Sequence, residues 1–407
     1  MTTESAEPPE PRISAVLPVY NGGPYLRDCL DSLVKQDLPA TDLEIIAIDD
    51  GSTDGSGDVL DEYAAAHPNI LVLHQENSGW PGQPRNRGIE RARGRYLFFV
   101  DGDDVVVSSA FRRLCDFADE HDSDVVNPKM VPLEQPRFKR PYLLKETVVD
   151  GQLAEAFKMI SPQKLVRRSM VMDKNIRFPE GKVRLEDGIF MSEAYLAARR
   201  VSFLGDRDYY LKRTRDDMQN ISNHGISPAH YVGSLTRMAT NVRERCADTR
   251  VADDIISVIY RRKGLRRLRA DKFLKYQRSR RADWARQLGQ FAKTFVTPRM
   301  ERQLPPLLRL QSVFARRADV PALYALAKLQ EAGAGLRVVS SDGRLFLRLT
   351  NGNRRDVTKW VRAGERGVTV AQEPLKKKLR RNFRRYTSLG RRTVHRLRTR
   401  AARKSTG

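Results

Sequence analysis

The chain has 407 residues, with 74 Lys and Arg against 50 Asp and Glu, a formal net charge of +24 at pH 7. That length buries a sizeable core and fits two or three domains, and the charge calls for an anionic partner: a phosphate polymer, a lipid headgroup layer or nucleic acid. Cys29, Cys115 and Cys246 are too few and too widely spaced to suggest a disulfide framework or a Cys-based zinc site, and Met1 to Pro11 carries no signal-peptide pattern.

Ile13 to Leu17 is a mostly apolar, strand-like run that Pro18 and the turn residues after it bring to an end. Leu26, Cys29, Leu30, Leu33 and Val34 recur at helical spacing, and Leu43 to Ile48 reads as a second buried strand. It ends in Asp49-Asp50-Gly51-Ser52-Thr53-Asp54, a polar turn into a helix through Val59, Leu60 and Tyr63, followed by a strand over Ile70 to Leu73. A helix over Arg85 to Arg93 delivers the chain to Tyr96, where an apolar strand runs into Asp101, Asp103 and Asp104. Strands alternating with helices through short loops predict an α/β domain on a mostly parallel sheet, its ligands beyond the carboxyl ends of the strands. Both acidic clusters fall there. A dinucleotide site is disfavoured, because Pro18-Val19-Tyr20-Asn21-Gly22-Gly23 stands where Gly-x-Gly-x-x-Gly would follow the first strand.

Three carboxylates at one strand end repel each other and resist desolvation unless a cation or hydrogen-bond donors compensate. Oxygen ligands suit Mn²⁺ or Mg²⁺, which commonly bridge one or two carboxylates to a substrate diphosphate. An EF-hand fails, since counting from Asp101 puts Val106 where Gly belongs and Arg112 where Glu belongs. An Asp-rich turn without a ligand is the plainer alternative.

Pro18-Val19-Tyr20-Asn21, Asp49-Asp50-Gly51-Ser52-Thr53-Asp54, Arg85-Asn86-Arg87-Gly88 and Asp101-Gly102-Asp103-Asp104, in that order, resemble the motifs of the family 2 glycosyltransferases of the GT-A fold. A closer likeness continues through Asn77 to Asn86, Ile160-Ser161-Pro162-Gln163-Lys164, Phe178-Pro179-Glu180 and Leu185-Glu186-Asp187. Those segments are similar to the wall teichoic acid β-N-acetylglucosaminyltransferases, which decorate poly(ribitol phosphate). The likeness runs from about Ile13 to about Gly335. It implies an inverting, metal-dependent transferase that moves N-acetylglucosamine, or another sugar, from a UDP donor to a polyol-phosphate polymer. It further implies that Pro18, Tyr20, Asp50 and Asn77 shape the uridine pocket, with Asp50 accepting a hydrogen bond from the base. Arg85 would lie near the diphosphate, Asp103 would be the main ligand of Mn²⁺ or Mg²⁺, and Asp101 would sit near the ribose or the metal. Turn chemistry and helix capping are the alternative for these residues.

An acceptor hydroxyl loses its proton as it attacks the anomeric carbon, so an inverting transferase needs a carboxylate base. Glu186-Asp187 just precedes the helical pattern Ile189, Phe190, Ala194 and Tyr195, which by itself favours Asp187 as a helix N-cap. The resemblance to the family's Glu-Asp motif points instead to Asp187 as the base, with Glu186 beside it positioning donor or acceptor. A neighbouring carboxylate would raise the base's pKa toward neutrality. Where the similar enzymes carry His-x-Ser, this chain has Asn220-Ile221-Ser222, which moves a diphosphate or acceptor contact toward Arg213, Arg215 or Ser222. Those enzymes continue into trimer-forming β-rich C-terminal domains, whereas here one hairpin is followed by a basic tail, so trimerisation is not among the expectations.

Beyond the sheet, Pro228 to about Ala334 is dominated by helical spacing and carries the basic run Arg261 to Arg281. Leu336 to Trp360 reads as a small hairpin module turning at Asp342-Gly343. The expected organisation is a disordered 1–11, a GT-A domain over 12–226, a helical domain over 227–334, a β module over 335–372 and a basic tail over 373–407. Two other functions stay open: a family 2 transferase acting on another glycan or lipid-linked sugar, and a non-enzymatic anionic-polymer or membrane-binding protein supported by charge alone. The acid clusters argue against the second, and no nucleic-acid partner is expected.

Leu375 to Lys404 holds fourteen Lys and Arg residues and no acid. Leu375, Leu379, Phe383, Tyr386, Leu389, Val394, Leu397 and Ala401 mostly recur three or four residues apart among them, the pattern of a basic amphipathic helix. Such a helix gains about 1 kcal/mol per cation at an anionic lipid surface, which predicts a cytoplasmic enzyme docked on the inner face of the membrane. A solvated tail, or an arm that captures an anionic polymer, is the alternative. In co-sedimentation, the full chain should follow anionic and not neutral liposomes, and a version ending at Glu373 should lose that binding. Equal sedimentation of both versions removes the membrane anchor.

Overall fold

The computed structural model describes residues 10–133, 144, 146–214, 225–331, 337–341, 344–348 and 354–356. Its first ten strands are β1 (Ile13–Val19), β2 (Leu43–Asp49), β3 (Ile70–His74), β4 (Tyr96–Phe99), β5 (Val105–Val106), β6 (Val125–Pro128), β7 (Met130–Pro132), β8 (Leu165–Arg167), β9 (Val201–Leu204) and β10 (Tyr210–Lys212). Seven form one sheet in the order β3-β2-β1-β4-β8-β6-β9, and β5, β10 and β7 form a second. β1, β2, β3 and β4 are mutually parallel, as their near-continuous apolar runs require of strands covered on both faces. β8 is antiparallel to both β4 and β6, so the expected mostly parallel sheet is mixed beyond β4.

Side-chain alternation sorts the apolar residues of β1 onto two cores. Ile13, Ala15, Leu17 and Val19 join Leu26, Leu30 and Leu33 of the helix Tyr25–Val34 in one cluster. Val16 faces the other way, with Ile46, Ile48 and Phe99 and with Ile89 of the helix Gly82–Arg91. This second cluster continues without a break through Phe190 and Tyr195 into Leu235, Trp284, Leu288 and Phe314 of the helical region. The helices after Pro228 therefore share this core, packing against the helix Glu186–Ala197 that lies between them and the sheet, rather than being loosely tethered.

β1 also runs further than its proline suggested, through Pro18 to Val19. The ladder to β4 ends at Val16 opposite Phe99, so the missing N–H of Pro18 breaks no bond on that side. The hairpin expected near Asp342 exists as the strands Arg337–Ser341 and Arg344–Arg348, with a third strand, Arg354–Asp356, that alternation did not reveal. Arg215, Ser222 and the tail 373–407 lie outside the described residues. Among the described residues no helix is long and apolar enough to cross a membrane.

The order of the sheet reverses at β1, which has β2 on one side and β4 on the other. A cleft opens at such a point beyond the carboxyl ends, and here Pro18, Asp50 and Asp101 all enter it. The helix Gly82–Arg91 forms one wall, and Gly88 lets it lie close on the sheet: a Cβ there would come 2.3 Å from Val16 Cγ1 and 3.1 Å from Ile48 Cδ1. Ala is the better helix former by about 1 kcal/mol, but overpacking in a filled core costs about 1–3 kcal/mol. Gly88→Ala should therefore lower the urea midpoint without changing the slope, and an unchanged or raised midpoint would show that the helix can move off the sheet.

Candidate active site

β4 ends at Phe99, Val100 leads on to Asp101, and the turn that follows is closed by the Asp104 N–H donating to the Asp101 carbonyl at 3.0 Å. The Asp101 N–H donates to the buried Tyr210 hydroxyl at 3.0 Å, which ties the acid turn to the second sheet. Asp104 is buried, and its Oδ1 accepts the Arg213 backbone N–H at 2.7 Å. Its Oδ2 has no hydrogen-bond partner among the described residues. Burial pushes the Asp104 carboxyl up to about 7, against the opposing charge of Lys212.

Arg85, in the first turns of the helix Gly82–Arg91, points its guanidinium into this cluster and is almost wholly buried. It donates to Asp187 Oδ1 at 2.7 Å and to Asp101 Oδ1 at 3.1 Å, with Glu186 at 3.9 Å. Gln163 Nε2 donates to the other oxygen of Asp101 at 2.8 Å. The planar, permanently charged fork of arginine suits this task, because it can meet separate carboxylates in fixed directions. The structure thus shows Arg85 joining the acids after β4 to the Glu-Asp pair, a contact the resemblance did not include.

That pair opens the helix Glu186–Ala197, where Leu185 takes the left-handed φ of 61° just before it. Asp187 is accordingly the second helical residue and not the N-cap, and its carboxylate turns to Arg85 rather than back to the helix. Two acids in a first turn face the positive end of the helix dipole, which favours their charged forms. Burial works the other way and is larger, so Glu186 is pushed up to about 7, with the Asp187 charge adding to the effect. Asp187 is also raised, by burial first, against the pull of Arg85. Among the described residues the Asp187 Oδ2 accepts no hydrogen bond, and the side chain is about one-third open to the cleft.

Pro18, Tyr20, Asp50 and Asn77 converge on the opposite end of the same cleft. The Tyr20 side is 53 % exposed, a flat face open to stacking. Asp50 accepts from Gln75 Nε2 at 2.5 Å, from the Ser78 N–H at 3.0 Å and from Ser78 Oγ at 2.8 Å. A carboxylate offers about four acceptor sites, so three protein donors leave one for a base. Asn77 donates to the Asp50 carbonyl at 3.0 Å, and Gly51 at φ 73° lets the loops meet, since a Cβ there would lie 2.8 Å from the Asn77 nitrogen.

The cleft holds about 1960 Å³, and much of its wall comes from residues without an expected role. Lys164 is fully buried at the floor, its ammonium donating to the Gln163 carbonyl at 3.2 Å, and burial lowers it to about 7. Arg184 lies over the Trp80 ring at 4.8 Å. Arg261, Arg262, Lys263, Arg266, Arg267 and Arg269 line the far side, carried by a π-helical turn Tyr260–Gly264 and the 3₁₀ turn Leu265–Leu268. The basic run was visible in sequence, but the turn that aims it was not. Arg213 donates to the Asp103 carbonyl at 3.1 Å and to Asp28 at 2.8 Å, so it braces the acid turn from below.

Residues 14–184 match the model of glycosyl transferase family 2. The chain belongs to that family. Residues 228–327 match the glycosyl transferase TarS linker domain, so the helical region carries a relationship of its own. A poly(ribitol-phosphate) β-glucosyltransferase of Bacillus spizizenii is 32 % identical over 77 % of this chain and 49 % of the relative. The poly(ribitol-phosphate) β-N-acetylglucosaminyltransferase TarS of Staphylococcus aureus is 30 % identical over 84 % of this chain and 59 % of the relative. This family 2 chain therefore spans between half and three-fifths of the length of those relatives. The crystal structure of S. aureus TarS 1–349 with UDP-GlcNAc superimposes with a TM-score of 0.73 at 27 % identity, covering 85 % of this chain and 98 % of that one. The GT-A fold is thereby shown for the region that carries the cleft.

Proposed function

We propose that this protein is an inverting glycosyltransferase that moves a sugar, N-acetylglucosamine first among the candidates, from UDP to a polyol-phosphate cell-wall polymer. The observation that carries the reading is the Arg85 fork, which holds a nucleotide-side acid, Asp101, and a base candidate, Asp187, on one buried cation. The cleft is also larger than the roughly 300–1,000 Å³ of a single small-molecule site, and its far wall is basic, as a donor plus an anionic acceptor requires. Likeness to a structure holding UDP-GlcNAc supports the donor, and the two poly(ribitol-phosphate) relatives support the acceptor. The division into a GT-A domain, a helical domain, a β module and a basic tail that docks on the membrane's inner face belongs to the same reading.

In this reading the base of the donor stacks near Tyr20 and meets the remaining acceptor site of Asp50. Asp103, with Asp101 behind it, would hold Mn²⁺ or Mg²⁺. The donor set fits such an ion: it is all oxygen, and Asp104 Oδ2 is a buried carboxyl oxygen without a hydrogen-bond partner among the described residues. When bound, the ion neutralises charge on the leaving nucleotide. Asp187 Oδ2 takes the proton of the acceptor hydroxyl as its oxygen bonds to the anomeric carbon, and the sugar–phosphate bond breaks on the opposite face, releasing UDP. Arg85 keeps Asp187 oriented, and Glu186 lies beside it.

UDP release should be greatest with UDP-N-acetylglucosamine, Mn²⁺ and purified poly(ribitol phosphate), and should be lost in excess EDTA or with Asp103→Asn. Release with another sugar, or only with a lipid-linked or non-phosphate acceptor, would transfer the reading to that substrate. Release under no combination would overturn it.

Asp187→Asn still accepts from Arg85 but cannot take a proton, so kcat should fall about 10²–10⁴-fold while donor affinity holds. The base works only as the carboxylate, which exists above its pKa. Because burial raises Glu186 to about 7 and raises Asp187 as well, wild-type kcat/KM should climb as pH rises through neutrality and then level off. Equal losses in binding and rate, or a flat profile from pH 5 to 9, would make the pair structural.

A further inference from the structure

A two-residue period places one more cation among the acids. β10 lies antiparallel to β5, with Tyr210 opposite Val106, and the Tyr210 hydroxyl meets the Asp101 backbone. Lys212, two residues on, leaves the same face of the strand. Its Nζ comes 3.7 Å from Asp101 Oδ2 and 3.9 Å from Asp104 Oδ2, close enough for charge attraction and too far for a hydrogen bond. Its three N–H donors therefore meet no hydrogen-bond acceptor among the described residues, and its side chain, 35 % exposed, opens into the cleft.

The neighbouring cations differ. Arg213 is engaged by Asp28 and the Asp103 carbonyl, and Lys164 is sealed below the floor on the Gln163 carbonyl. Lys212 is held only by charge, next to a buried carboxylate oxygen that also lacks a hydrogen bond. An ammonium with unused donors beside a diphosphate-sized cleft is in the state a phosphate-binding lysine has before its ligand arrives.

We propose that Lys212 is a diphosphate-binding residue, resting against Asp101 and Asp104 in the nucleotide-free protein and turning to the distal phosphate of the donor. This rests on the UDP-sugar reading above. When the sugar–phosphate bond breaks, its electron pair stays on the phosphate oxygen, and that phosphate gains one negative charge. Lys212 donates hydrogen bonds to it and keeps its own proton. The resting position has a second consequence: a built-in cation competes for the acids, so Mn²⁺ alone binds weakly and nucleotide and ion bind better together.

The test is calorimetric titration of the full chain and its Lys212→Met and Lys212→Arg variants with UDP and with UMP in EDTA, and with Mn²⁺ alone. Losing a hydrogen bond to a charged group should weaken UDP binding by Lys212→Met about 10- to 100-fold and leave UMP binding unchanged. The same variant should bind Mn²⁺ alone more tightly than wild type, and Lys212→Arg should keep most of the UDP affinity. If Lys212→Met does not fold, Lys212→Gln gives the same UDP-against-UMP contrast. Equal effects on UDP and UMP, or no effect on either, would overturn the role of Lys212. A wild-type protein that binds neither nucleotide, in EDTA or with Mn²⁺ present, would overturn the UDP-sugar reading instead.

Discussion

The Arg85 guanidinium is the constraint on which the rest of the site depends. Asp101 ends a strand, Glu186 and Asp187 begin a helix, and without a cation between them their charges would drive the two elements apart. Burying an arginine costs several kcal/mol in lost hydration, which only several well-directed carboxylates offset. Asn86 adds a second tie, donating to the Phe178 carbonyl and accepting the Phe178 N–H, both at 2.9 Å. Phe178 lies under the guanidinium and stacks on Phe190 of the helix Glu186–Ala197 at 4.0 Å. Two consecutive residues of one helix thus fix the distance between Asp101 and the Glu186-Asp187 pair.

The helical region completes the cleft from the other side. Its apolar residues continue the core behind the sheet, so its basic face is held at a set distance from the acids rather than carried on a mobile arm. The acids gather at the strand ends with Arg85 and Lys212 among them, while the π-helical turn and the residues beyond it present cations. A π turn shifts the register of a helix by one residue, which turns successive side chains toward one wall. The family relationship of residues 228–327 to a linker domain agrees with that structural role.

The alternating strands and helices of the first hundred residues were legible because burial on both faces leaves a continuous apolar run, and helical cover leaves a period near four. The acids at strand ends followed from the same pattern, while their place at a switch point came only with the order of the strands. Asp187 shows the limit of local reading. An acid just before a helical pattern looks like a cap, and only the left-handed Leu185 and the reach of Arg85 show that it faces the cleft.

The sequence by itself therefore determined the α/β order, the acidic strand ends, the Glu-Asp pair, the basic character of the region after Pro228 and the family resemblance they carry. These are properties of near neighbours along the chain or of fixed motifs. Tertiary structure alone decided that β8 runs against β4, that Arg85 joins Asp101 to Asp187, and that Lys212 faces the acids. Those contacts link residues from 16 to 102 positions apart in the chain for Arg85. Their energy lies in desolvated charge and hydrogen-bond direction, which depend on what surrounds a side chain and have no period to read in a single sequence.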